Sequence, residues 1–101
     1  MIPSARVRLR ARSKKRQREM ILRRRLVARL LEERPVCEIA WDAKCTGRST
    51  EVDEIIGRGR GGDFLDESNC QTACHYCHSQ KTEHPAEARR RGLERHSWEA
   101  S

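Results

Sequence analysis

One tight cysteine pair constrains this chain more than any other feature. Cys74 and Cys77 enclose only His75 and Tyr76, and a looser pair, Cys37 and Cys45, precedes them. The chain has little else to fold around. Of 101 residues, 37% are charged, 36% are hydrophobic and 4% are aromatic, the last being Trp41, Phe64, Tyr76 and Trp98. A domain this small buries a modest fraction of its surface and needs a staple, either disulfides or a metal. Five cysteines is an odd number. The basic stretch Met1–Arg12 is followed by no apolar region of the secretory kind. A reducing, cytoplasmic compartment and metal binding are therefore expected over a disulfide framework. Four thiolates satisfy the tetrahedral demand of zinc and close the site to water, which marks a structural ion. The expected ligands are Cys37, Cys45, Cys74 and Cys77, with Cys70 left as a small buried hydrophobe. The rival assignment exchanges Cys45 for Cys70. A redox or regulatory zinc protein with a reactive Cys70 or Cys77 is a weaker alternative, because no βαβ pattern surrounds the Cys-x-x-Cys.

Charge divides the chain in two. Residues 1–35 carry 13 basic and 3 acidic side chains, and residues 36–101 carry 9 basic and 12 acidic ones. A strongly basic segment on a near-neutral body points to a polyanion, and so to nucleic acid held through its phosphates. An anionic membrane surface is the poorer match, since the segment has no Trp or Phe to insert. No apolar run approaches the roughly 20 residues of a membrane span.

Residues 1–13 read as a disordered basic arm. Ser13 can cap a helix over 14–34, in which Leu22, Leu26 and Leu30 recur at four-residue intervals beside Val27 and Leu31, with Met20 and Ile21 extending the stripe. Arginines, including Arg16, Arg18, Arg23 and Arg24, occupy the rest of that helix. Pro35 stops it by moving Arg34 out of the α region. Residues 36–50 read as loop, 51–56 as strand, 57–69 as a glycine-rich loop with Phe64 and Leu65 tucked inward, and 70–73 as a short strand. A helix over 74–82 follows. Another begins at Pro85 and is stopped by Gly92. Residues 36–92 form the expected core and 93–101 a C-terminal tail.

Three stretches then fall into line: Val52-Asp53-Glu54-Ile55-Ile56, Arg58-Gly59-Arg60-Gly61-Gly62, and Asn69-Cys70-Gln71-Thr72-Ala73-Cys74-His75-Tyr76-Cys77-His78. Together they resemble the HNH endonuclease family, in which Asp-His-Ile precedes an Arg-Gly-Gly loop, an Asn and Cys-x-x-Cys-His. The resemblance covers about Cys37 to His84. It implies an α+β fold, a ββα-metal (His-Me) finger stapled by the four-cysteine zinc site, here preceded by a long basic helix. It implies Asp53 and His78 as ligands of a catalytic divalent cation (Mg2+, Mn2+ or Ni2+) and Asn69 as the residue that shapes the loop and helps position the reacting groups. Glu54 replaces the family's general-base histidine. A carboxylate there can accept a proton or bind the metal itself.

The activity implied is metal-dependent hydrolysis of DNA phosphodiesters, by nicking or double-strand cutting, leaving 3′-hydroxyl and 5′-phosphate ends. Arg58 and Arg60 beside the cleft are candidate phosphate clamps. Small proteins of this kind occur in bacteriophage genomes, often beside terminase in DNA packaging, which implies a bacterial host cytoplasm. The alternative from another class is a zinc-stapled nucleic-acid-binding protein that does not cleave. His75 is expected exposed or near phosphate. His84 is a weaker candidate third ligand, and His96 belongs to no constellation.

Overall fold

A computed structural model describes residues 13–99 of the chain. The basic arm expected over 1–13 lies almost wholly outside them. Helix α1, Lys14–Glu33, begins where the sequence places it: the Ser13 side chain accepts from the Arg16 N–H at 3.1 Å, and Arg34 ends the helix with φ −128°. Its apolar stripe is only partly covered. Leu26 and Leu30 are buried against Cys70 and Val52, whereas Ile21 and Leu22 are exposed. The covered positions are those that pack on Val52 and Cys70 of the residues that follow.

That sheet has two antiparallel strands, β1 (Glu51–Glu54) and β2 (Cys70–Ala73), with Asp53 opposite Gln71 and Glu54 opposite Cys70. Successive strand residues face opposite sides. Val52 and Cys70 therefore meet α1, while Glu51, Asp53, Gln71 and Ala73 face helix α2, His75–Glu83. β1, β2 and α2 make the ββα finger. Strand β1 is two residues shorter than expected, because Ile56 leaves the ladder to bridge Arg95. Helix α3, Pro85–Arg90, has proline in its first turn, and the chain then turns at Gly92 with φ 76°.

The glycine-rich loop folds back on itself through one 3-10 turn, Arg58–Arg60, and a second, Glu67–Asn69, leads into β2. A Cβ on Gly62 would stand 1.8 Å from the Ile56 carbonyl oxygen, so only glycine permits this close return. Residues 93–96, expected in a tail, belong to the body instead. Leu93 packs on the core, its carbonyl accepts from Gln71, and the Arg95 N–H donates to the Ile55 carbonyl. No helix among the described residues is long and apolar enough to cross a membrane.

Candidate active site

The second apolar cluster contains Cys37, Ile39, Trp41, Ala73, Cys74, Cys77 and Ala88, with Cys45 packed against it. The ligand atoms of Cys37, Cys45, Cys74 and Cys77 lie within 4.8 Å of one another. A tetrahedral zinc with bonds of about 2.3 Å separates its sulfurs by roughly 3.8 Å, so the four thiols fit such an ion closely. Backbone N–H groups aim at these sulfurs: Trp41 at Cys77, Gly47 at Cys45 and Cys77 at Cys74, all at 3.3–3.4 Å. Burial works against the Cys74 thiolate, but hydrogen bonds from Thr46 and Cys77 outweigh it and bring the thiol down to about 6. Burial pushes the Cys77 thiol up. Cys70 is excluded from this cluster. It lies on the other side of the sheet with Leu26 and Leu30, 3% exposed, and burial raises its thiol above the usual range.

Strand β1 and helix α2 bring Asp53 and His78 together across the finger, with Asp53 Oδ1 3.3 Å from His78 Nε2. Three side chains that the motif reading passes over fix this pair. Lys81 Nζ lies 2.6 Å from Asp53 Oδ2, and Gln71 Nε2 donates to the same oxygen at 3.0 Å. Glu51 Oε1 lies 2.6 Å from His78 Nδ1, while its other oxygen meets His75 Nδ1 at 2.7 Å. Burial alone would raise the Asp53 carboxyl, but His78, Lys81 and Gln71 hold it below its usual range. Asp53, despite the burial of the ring, and then Glu51 lift the His78 imidazole to about 9. The signal for these neighbours was present in the spacing. Glu51 stands two before Asp53 on a strand, and Lys81 three after His78 on a helix, so each shares a face with its partner.

Glu54 points the other way. Its Oε2 accepts from Arg23 Nη2 of α1 at 2.9 Å. Arg23 is thus turned into the body, unlike Arg16, Arg18 and Arg24, which are exposed. Asn69 is buried and serves the backbone: Oδ1 accepts from the Ile56 N–H, and Nδ2 donates to the Ile56 and Asp63 carbonyls. Arg60 lies 2.6 Å from Glu94, and Arg58 stacks 4.2 Å over the Phe64 ring and 3.8 Å from Glu19. A cleft of about 390 Å3 is lined by Asp53, Glu54, Arg60, Lys81 and Glu94, among others, while His78 lines a separate recess with Glu51 and His75. His84 stacks on Trp41 and His96 on Trp98.

Residues 37–84 match the family model described as HNH endonuclease. This stretch is an HNH domain. It begins at the first zinc-type cysteine and ends just past α2, so it contains the ββα finger and leaves α1 outside. No curated protein and no solved structure matches the chain. The match supports a nuclease-type, nucleic-acid-related function in general, and the four clustered cysteines are positioned to bind a metal ion.

Proposed function

We propose that the protein is a metal-dependent DNA endonuclease, with Asp53 and His78 holding the catalytic divalent cation and the four cysteines holding structural zinc. The observation that carries this reading is the 3.3 Å separation of Asp53 Oδ1 and His78 Nε2. Two donor atoms about 2.1 Å from one ion, at right to tetrahedral angles, stand roughly 3.0–3.4 Å apart. A divalent cation supplies Lewis acidity there, polarising the scissile phosphate and lowering the pKa of water.

The chain's own residues prepare the pair. Gln71 and Lys81 take Oδ2 of Asp53, and Oδ1 is the oxygen nearest His78 Nε2. Glu51 lies against His78 Nδ1 and would take the proton on that nitrogen when a cation replaces the proton on Nε2. Lys81 and Arg60 bring positive charge to the cleft wall where a phosphate would lie. Arg16, Arg18 and Arg24 on α1 contact the duplex through its backbone, giving affinity with little sequence preference. The association with bacteriophage packaging and terminase is supported by the resemblance of the chain alone.

Nicking of supercoiled plasmid by the zinc-loaded protein with added Mg2+, Mn2+ or Ni2+ tests this. Asp53→Ala and His78→Ala are expected to lose at least about 100-fold in rate, the scale of a positioned catalytic group. Undiminished cutting by His78→Ala would overturn the site. One observation favours the non-cleaving alternative: the base position carries a glutamate engaged by an arginine. That reading predicts DNA binding without cutting by the wild type under any of the three ions.

A further inference from the structure

The family's motif places a proton acceptor at position 54, and the environment of Glu54 does not suit one. Its neighbour Asp53 faces α2, so alternation along β1 turns the Glu54 carboxylate toward α1, although both residues border the same cleft. There it meets a guanidinium whose two terminal nitrogens are both engaged. Arg23 Nη1 donates to the Phe64 carbonyl at 2.6 Å and to Cys70 Sγ at 3.4 Å. Arg23 Nη2 donates to the Val52 carbonyl at 3.3 Å and to Glu54 Oε2 at 2.9 Å. One side chain of α1 thereby grips β1, β2 and the loop between them. Both charged side chains are largely shielded, 17% exposed for Arg23 and 24% for Glu54. Arg23 lies outside the stretch that matches the HNH model, so this contact belongs to the chain's own architecture.

We infer that Glu54 is a positioning residue rather than the proton acceptor: with Arg23 it latches the basic helix α1 to the finger. The latch sets Arg16, Arg18 and Arg24 at a fixed place relative to Asp53 and His78. DNA held by the helix is then presented to the cleft in one register. The kinetic part of this inference rests on the nuclease reading, whereas the contact itself does not.

The test compares Glu54→Gln with Glu54→Ala and Arg23→Ala in the zinc-loaded protein. Gln keeps an acceptor for Arg23 Nη2 but cannot serve as a base. Expected for Glu54→Gln is a kcat and a KM for plasmid within about threefold of wild type. Expected for Glu54→Ala and Arg23→Ala is a KM raised about tenfold with kcat nearly preserved. A general base contributes about 100- to 10,000-fold. A kcat loss of that size in Glu54→Gln, equal to that in Glu54→Ala, would overturn the inference. If the wild type cuts no DNA, the nuclease reading falls, and the latch is read from hydrogen exchange of α1 and from DNA affinity. Faster exchange and weaker binding in Glu54→Ala, both restored in Glu54→Gln, support it. Unchanged exchange across α1 in Glu54→Ala and Arg23→Ala contradicts it.

Discussion

Asn69 illustrates what one buried amide does for this fold. Its side chain makes three hydrogen bonds to backbone groups at Ile56 and Asp63, closing the loop that separates the two strands. Asn69→Ala strips this partner from the Ile56 N–H and carbonyl, whereas the Asp63 carbonyl still accepts from the Asp66 N–H, and each such loss costs about 1–3 kcal/mol. A total of about 2–4 kcal/mol by urea denaturation is expected, with the midpoint moving and the slope preserved. His78 makes a second prediction. Without added divalent ion its titration by NMR should centre near 9. Its folded value lies above the ordinary 6.5, so the stabilisation is fully present below about 6.5 and is lost as pH rises through about 9. Motif order singles out Asp53, Asn69 and His78 in the sequence, and the fold brings Asp53 and His78 within contact. Glu51, Gln71 and Lys81 were harder to read, because their contacts depend on strand register and on where the helix lies over the sheet. The inward turn of Arg23 was hidden among neighbouring arginines of the same type.

At the scale of elements, local signals placed the boundaries well. Ser13 caps α1, Pro35 follows its end, and Pro85 and Gly92 frame α3. How much of the α1 stripe is covered could not be read this way, since periodicity marks an apolar face without saying how far the partner extends. Leu30, 2% exposed, is the centre of the contact. Leu30→Ala is expected to cost about 2–5 kcal/mol and to speed exchange along α1, with the finger less affected. The segment at 93–96 carries no pattern of its own. Its place in the body comes from single contacts to Ile55, Gln71 and Arg60, which no local rule reveals.

At the scale of the molecule, two small apolar clusters lie on the two sides of a two-stranded sheet. Neither is large, and the four-cysteine cluster ties the 37–45 loop to the start of α2. Zinc binding in small domains is worth about 10 kcal/mol or more. A strong zinc chelator is therefore expected to abolish the cooperative thermal transition seen by circular dichroism; retention of that transition would show that the apolar clusters suffice. The basic half of the chain should make DNA affinity fall steeply with salt. The central claim, one cation between strand and helix, is tested most directly by anomalous diffraction from crystals of the zinc-loaded protein soaked in Mn2+. The account predicts a manganese peak bonded to both Asp53 Oδ1 and His78 Nε2. Manganese bound elsewhere, with that pair still joined side chain to side chain, would contradict it.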